Sequence, residues 1–350
     1  MPISCRPPRK SIIMTDSYSS KRVLVTGADG FIGSHLVESL VGAGARVTAL
    51  AQYNAMGSNG WLDDLGDEVL DKTKVHRGDI RDLADIQRLV DGHDIVFHLA
   101  ALIAVPYSYS SPQSYVDVNV TGTLNLLEAC RSHDVARIIH TSTSEVYGTA
   151  QNTPIGEDHP LQGQSPYAAS KIAADMMAQA YARSFDLPAV ILRPFNTYGP
   201  RQSERAVIPT VIRQALDPNC ESIRIGGLEP KRDFCFVSDT VDAFLAAGRS
   251  PDLDTGTPFN AGTGRTESIG EIVEIVCRLT GANKPVETDP ERIRPENSEV
   301  FELIARSDRF IEATGWSAKV NLETGLETTI AWWRDRLARG EIRHSSAYLI

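Results

Sequence analysis

The chain has 350 residues, a formal net charge of −10 and 42 % apolar residues. That length and composition suit a globular protein of one large or two modest domains and argue against a disordered chain. The acidic balance, with no basic stretch beyond Arg6–Lys10, argues against nucleic acid as a partner but leaves room for an anion held by a few placed arginines.

Residues 1–20 read as a flexible tail, because their longest apolar run, Ile12-Ile13-Met14, is too short for a signal-peptide core. No apolar run approaches the roughly 18–20 residues of a membrane span. The five cysteines are scattered without a Cys-x-x-Cys pair, which fits reduced thiols in a cytoplasm, and the eight histidines show no ligand spacing, so no metal is expected.

From Arg22 onward, short β-branched runs alternate with helical patterns. Strands are expected at Arg22–Thr26, Arg46–Leu50, Lys74–His76, Ile95–Leu99, Arg137–Thr141 and Ala189–Arg193. Helices are expected at Phe31–Val41, Leu83–Val90, Ser111–Arg131 and Pro166–Phe185. This rhythm means βαβ units and a doubly wound parallel sheet, an α/β Rossmann domain. After Arg193 the rhythm breaks into Pro-, Gly- and Arg-rich stretches, as in a smaller C-terminal lobe, with a ligand cleft expected between the two.

The run VLVTGADGFIGSHL puts Gly27, Gly30 and Gly33 between the first strand and the first helix. In a dinucleotide fold these permit the tight turn, the approach of a pyrophosphate and the packing of helix on sheet. The acid that binds the adenosine ribose, expected at the end of the second strand, is missing: the segment reads Leu50-Ala51-Gln52-Tyr53-Asn54. No cation for a 2′-phosphate follows either, so NAD is favoured over NADP. Asp79-Ile80, after the third strand, stands where an adenine ring would come, or else caps the helix that follows.

At Thr141-Ser142-Thr143-Ser144-Glu145-Val146-Tyr147-Gly148 a lone carboxylate meets the end of a buried strand, where it must be solvated, paired or used. Further on, Tyr167 and Lys171 are four residues apart and share one helical face. A tyrosine ionises near pH ~10, and a base at neutral pH needs that lowered by a neighbouring cation.

The glycine triad, HLAA (98–101), the Glu145 segment, Tyr167-x-x-x-Lys171, RPFNTYGP (193–200) and RDFCFVSDT (232–240) together resemble the extended short-chain dehydrogenase/reductases acting on sugar nucleotides. The resemblance spans about residues 21–340 and is strongest to NAD-dependent 4,6-dehydratases, of the type that acts on N-acetylglucosamine nucleotides for legionaminic-acid-like sugars. It implies a cofactor-binding set of Gly27, Asp29, Gly30, Phe31, Ile32, Gly33, Asp79, Ile80, Leu99, Ala100, Ala101, Tyr167 and Lys171. It also implies a Rossmann domain over 21–195 with 236–264 returning to it. A substrate-binding lobe over 196–235 and 265–340 and a tail over 341–350 complete the division.

In such enzymes a hydroxyl, here Thr143, stands over the sugar C4, and Tyr167 with Lys171 serves its oxidation. Glu145 is then placed to remove the C5 proton, a step that a simple 4-epimerase does not need. Many glucose-nucleotide dehydratases carry Thr-Asp-Glu here, whereas this chain has Thr143-Ser144-Glu145. Either Glu145 is both base and acid, or Ser144 and water relay the proton to the departing C6 hydroxyl. By the same resemblance, Arg232 and Arg294 grip the nucleotide diphosphate, Asn196 touches sugar or diphosphate, and Arg205 and Val207 belong to the substrate side.

The expected function is thus an NDP-hexose 4,6-dehydratase acting on UDP- or GDP-N-acetylglucosamine. NDP-glucuronate decarboxylase and 4-epimerase are alternatives on the same scaffold. A regulatory dinucleotide-binding protein would not need Tyr167, Lys171 and Glu145 together. The apolar and alanine-rich surface of Pro166–Phe185 points to a homodimer or a dimer of dimers, and the resemblance implies that this helix and Asn119–Cys130 form an intersubunit four-helix bundle.

Overall fold

The structure is a computed structural model that describes residues 17–293, 295 and 298–341. Its centre is a seven-stranded parallel sheet made of β1 (Arg22–Thr26), β2 (Arg46–Gln52), β3 (Thr73–Gly78), β4 (Ile95–His98), β5 (Arg137–Thr141), β6 (Ala189–Pro194) and β7 (Pro258–Ala261), in the order β7-β6-β5-β4-β1-β2-β3. The direction of winding reverses between β1 and β4, which opens a crevice at the carboxyl ends of these strands. Strands this apolar pack on both faces: Val23 and Val25 of β1 belong to one core, Leu24 to the other, and all three are fully buried.

Helix α1 (Phe31–Gly42) follows β1 through the glycine turn. Gly27 holds φ +66°, a conformation that side chains disfavour, and a Cβ there would lie 2.7 Å from the Ala100 amide nitrogen. A Cβ on Gly33 would lie 2.1 Å from the Gly27 carbonyl oxygen, so only glycine lets α1 sit this close to β1.

The expected helix over Ser111–Arg131 is one continuous helical run with a break in its register. Pro112–Tyr115 passes into a π-helical turn at Val116–Thr121 and then into helix α2 (Gly122–Ser132). Such wide turns collect at functional sites. Here the turn aims Asn119 back at the strand end, where its side chain bonds both polar backbone groups of Leu102, at 2.8 and 2.9 Å, and Ser170 Oγ at 2.9 Å. Ser170 lies in helix α3 (Pro166–Phe185), whose Ser165 caps the first turn through the Ala168 amide.

The smaller lobe is built on helices α4 (Val207–Leu216) and α6 (Ile269–Thr280) with short strands around them, while α5 (Val237–Arg249) and β7 return to the large sheet. Helix α7 (Leu322–Ala338) is the last described helix. The expected tail over 1–20 includes a residue packed in the core. Tyr18 is buried, packs against Phe97 and donates to the Leu245 carbonyl at 2.6 Å, because Gly248 leaves room for its ring. Residues 1–16 and 342–350 lie outside the described residues. No described helix is long and apolar enough to cross a membrane.

Gly33→Ala should lower stability by ~1–3 kcal/mol, the usual cost of forcing a methyl group into a filled contact. Urea unfolding should show an earlier midpoint at unchanged slope, and an unchanged midpoint would mean that the turn is not tight.

Candidate active site

A cavity of about 1140 Å³ runs along the carboxyl ends of the sheet and into the smaller lobe. Every expected site residue among the described ones lines it, from the glycine turn through Asp79, Ile80, Leu99, Ala100 and Ala101 to Thr143, Ser144, Glu145, Tyr167 and Lys171, and on to Asn196, Arg205, Val207 and Arg232. Arg294 lies outside the described residues.

The catalytic-type residues come from two neighbouring elements. β5 ends at Thr141, and the turn after it starts with Thr143, whose side chain accepts the Glu145 amide at 3.2 Å and caps the short helix Ser144–Tyr147. Tyr167, in the first turn of α3, is buried, hydrogen-bonds to Thr143 and meets Tyr115 edge-on at 6.2 Å. Burial pushes the Tyr167 hydroxyl up, the Thr143 hydrogen bond draws it down, and Glu145, Tyr115 and Asp175 add to the rise. This differs from a phenol lowered by its lysine neighbour: Lys171 Nζ turns instead to the Thr141 carbonyl at 2.5 Å.

Lys171 is itself buried, and burial brings its ammonium down from 10.5 to about 8, with Asp175 opposing. Asp175 is fully enclosed, accepting from Ser142 Oγ at 2.8 Å and from Arg193 at 3.0 and 3.2 Å. His140 Nε2 lies 3.3 Å from the other carboxylate oxygen without hydrogen-bond geometry. Burial alone would raise the Asp175 carboxyl, but His140, Arg193 and Lys171 outweigh it and hold it below the usual carboxylate range.

The glycine end of the cavity fits a dinucleotide. Gly30 precedes the first turn of α1 with no side-chain cap, so the first backbone N–H groups of the helix have no side-chain acceptor. A Cβ at Gly30 would meet only the Gly27 carbonyl, at 3.3 Å, so the cavity side of the turn is clear for a phosphate. Asp79 lines the same end, and its carboxylate pairs with Arg81. Asp79 is not the cap of the following helix, Leu83–Val90; Asp82 is, through the Asp85 amide.

On the lobe side, Arg232 is buried and paired with Glu299 at 3.2 Å. Asn196 Oδ1 is buried without a hydrogen-bond partner, an acceptor suited to a ligand hydroxyl. Arg205 is exposed at the rim, Arg201 pairs with Glu38 at 3.1 Å, and Arg224 stands 3.9 Å from Asp289.

Some wall residues had no signal in the sequence. Arg336 of α7 ion-pairs with Asp64, and its guanidinium lies over both Trp61 and Trp332, at 5.1 and 5.2 Å. Asp64 and Arg336 are 272 positions apart, so no local pattern could join them. Tyr109 bonds to Ser298, which donates to the Gln164 carbonyl at 2.6 Å and ties the loop after β4 to the lobe. Among the described residues, no group of three or more His, Cys, Asp or Glu is placed to hold a metal ion.

A doubly wound sheet with an open glycine turn, and a Tyr-x-x-x-Lys helix beside the end of its fifth strand, defines an extended short-chain dehydrogenase/reductase. The family model for GDP-mannose 4,6 dehydratase matches residues 24–329, and the chain belongs to that family. It is an enzyme of the NDP-sugar dehydratase and epimerase group. The chain is 35 % identical to a UDP-glucose 4-epimerase of Mycolicibacterium smegmatis, over 90 % of this chain and 99 % of that one. A dTDP-glucose 4,6-dehydratase of Actinoplanes sp. is 33 % identical over 89 % of this chain and 98 % of that one. Among solved structures, TunA, an NAD-dependent NDP-hexosamine 5,6-dehydratase of tunicamycin biosynthesis, has a TM-score of 0.80 at 32 % identity, over 90 % of this chain and 98 % of that one. The dTDP-glucose 4,6-dehydratase DesIV of Streptomyces venezuelae, solved with NAD and TYD bound, has a TM-score of 0.81 at 28 % identity, over 91 % and 98 %.

Lys171 should titrate at about 8 in the nucleotide-free protein rather than at 10.5, and Asp175→Asn should lower it further by removing the opposing charge. Between those two values the unfolded lysine keeps its proton and the folded one does not, so the contribution of this residue shifts in favour of folding as pH rises through the window. Carbon-13 NMR of labelled lysine side chains would read the midpoint, and a normal lysine titration would contradict the site geometry.

Proposed function

We propose that this enzyme is an NDP-hexose 4,6-dehydratase, with UDP- or GDP-N-acetylglucosamine as its expected substrate. The observation that carries the reading is Glu145, which lines the same cavity wall as the hydrogen-bonded Tyr167–Thr143 pair and follows Thr143 by two positions. Gly27, Gly30 and Gly33, with Asp79, Ile80 and Leu99–Ala101, would hold a nicotinamide dinucleotide along the glycine turn, which would supply oxidation at C4 and reduction at C6 without an outside oxidant.

The chain's own residues do the proton chemistry. Thr143 orients the C4 hydroxyl and Tyr167 accepts its proton. Lys171, a cation in a buried setting, favours the phenolate once the cleft is filled. With C4 a ketone, the C5 hydrogen is acidic and Glu145 removes it. That proton reaches the C6 hydroxyl from Glu145 directly or through Ser144 and water, and water leaves. Reduction at C6 would then be completed by a solvent-derived proton delivered to C5 by Glu145, while the proton taken by Tyr167 returns to solvent. Arg232 would exchange its Glu299 partner for the diphosphate, to which a guanidinium is well matched, and the unpartnered Asn196 oxygen would receive a sugar hydroxyl.

A second reading, 4-epimerase, draws support from the epimerase of M. smegmatis, which is 35 % identical. The test is incubation with a panel of NDP-sugars, read by mass for loss of water, loss of carbon dioxide or neither. Glu145→Gln should reduce water loss roughly 10²–10⁴-fold and abolish solvent deuterium uptake at C5, the usual size of effect for one positioned acid–base group. If Glu145→Gln releases dehydrated product at near the unmodified rate, the carboxylate is structural and the dehydratase reading falls.

We further infer a homodimer through α3 and the helical run before α2. Met176 and Val116 on these elements are 42 % and 46 % exposed, an apolar surface that a monomer would leave in water. Sedimentation at micromolar concentration should give twice the chain mass, and Met176→Glu should shift it toward the monomer. A monomer for the unmodified protein would overturn the assignment.

A further inference from the structure

We propose that Asp29, from the turn between β1 and α1, recognises the adenosine ribose and selects NAD over NADP. The proposal rests on the reading of the cleft as a dinucleotide site. In this fold the ribose comes to the carboxyl end of β2, and an acid there accepts its hydroxyls. β2 ends here in Ala51-Gln52, both neutral. The structure brings a carboxylate to that place from the neighbouring turn: Asp29 Oδ2 accepts the Gln52 amide at 3.1 Å. Asp29 and Gln52 both line the cavity.

The position of Asp29 is held from the other side by the segment after β2. The Trp61 amide donates to the Asp29 carbonyl at 3.0 Å. Gly60, at φ +60°, packs so closely that a Cβ would lie 2.5 Å from that oxygen. Asp63 closes this segment on itself by accepting the Asn59 amide at 2.8 Å and Ser58 Oγ at 3.0 Å. The Asp29 carboxylate is therefore held by the Gln52 amide and its backbone by Trp61 and Gly60, so its place does not depend on the ligand.

Charge points the same way. Asp63 and Asp64 join Asp29 on this stretch of the cavity wall. The nearby cations are engaged: Arg77 of β3 bonds Asn59 Oδ1 and the Gly57 carbonyl, each at 2.7 Å, Arg81 pairs with Asp79, and Arg336 pairs with Asp64. A ribose with free hydroxyls can donate to Asp29, whereas a 2′-phosphate would bring a second anion against it.

The test is calorimetric titration of the nucleotide-free full-length protein with NAD and with NADP, in the absence of any sugar nucleotide. The unmodified protein should prefer NAD by about 100-fold, and Asp29→Asn should weaken NAD by about tenfold while narrowing that preference, as expected for loss of a hydrogen bond to a charged group. Asparagine still offers an oxygen to the Gln52 amide, so the turn should survive. Adding Gln52→Asp to that variant should restore the preference by returning an acid to the end of β2. Chromatography of nucleotide released from each protein as purified gives a second readout that needs no stripping. Equal binding of NADP by the unmodified protein, as would follow if Arg77 swung to the 2′-phosphate, overturns the proposal, as does an unchanged preference in Asp29→Asn. Because no substrate is present, the result stands apart from whether any NDP-sugar loses water.

Discussion

The carboxylate of Asp175 is the point on which this site depends. It is fully buried on α3, yet it accepts from Ser142 just past β5 and from Arg193 on β6, with His140 alongside. Arg193 continues the chain of contacts to the Tyr147 hydroxyl at 2.9 Å, which donates to Asn260 of β7 at 2.7 Å. One anion thus ties three strands to the helix that carries Tyr167 and Lys171. Sliding α3 along the sheet would leave charges buried and unpaired, and breaking such a pair costs ~3–5 kcal/mol. The helix is therefore held in one register.

That rigidity has a direct consequence for chemistry. Tyr167, Lys171 and Asp175 recur at a spacing of four, so all three lie along one side of α3. The first faces Thr143, the second reaches the Thr141 carbonyl, and the third neutralises the cations behind them. Asn119 adds a second brace, because its π-helical turn ties Leu102 to Ser170 on the same helix. By contrast, the segments around the rest of the cavity are joined by separate contacts between distant residues, such as Tyr109 with Ser298, Arg232 with Glu299 and Arg336 with Asp64. A helix fixed in this way, opposite segments pinned at a few points, is an arrangement that can admit a large ligand without disturbing Tyr167 and Lys171.

The elements with strong local patterns were legible in the sequence. β1, β5 and α3 have the bounds that their residues predict, since short β-branched runs and a capped alanine-rich helix need no distant partner to declare themselves. The glycine turn and the Tyr167–Lys171 pair were legible for the same reason, because their geometry is set within a few residues. The break at Val116–Thr121 was not, because a π-helical turn keeps the same apolar rhythm and differs only in which backbone groups pair. Nor was the order at Tyr18, whose ring is held by Phe97 and the Leu245 carbonyl.

What the sequence determined by itself was the βαβ rhythm, the glycine turn and the Tyr167-x-x-x-Lys171 spacing beside the Glu145 segment. Each of these follows from periodicity or from close spacing along the chain. Only the tertiary structure decided which carboxylate stands at the end of β2, what balances the charge of Lys171 and which arginine closes over Trp61. Those answers depend on contacts between segments far apart in sequence, and the energy of such contacts comes from burial and charge pairing that exist only once the chain has folded.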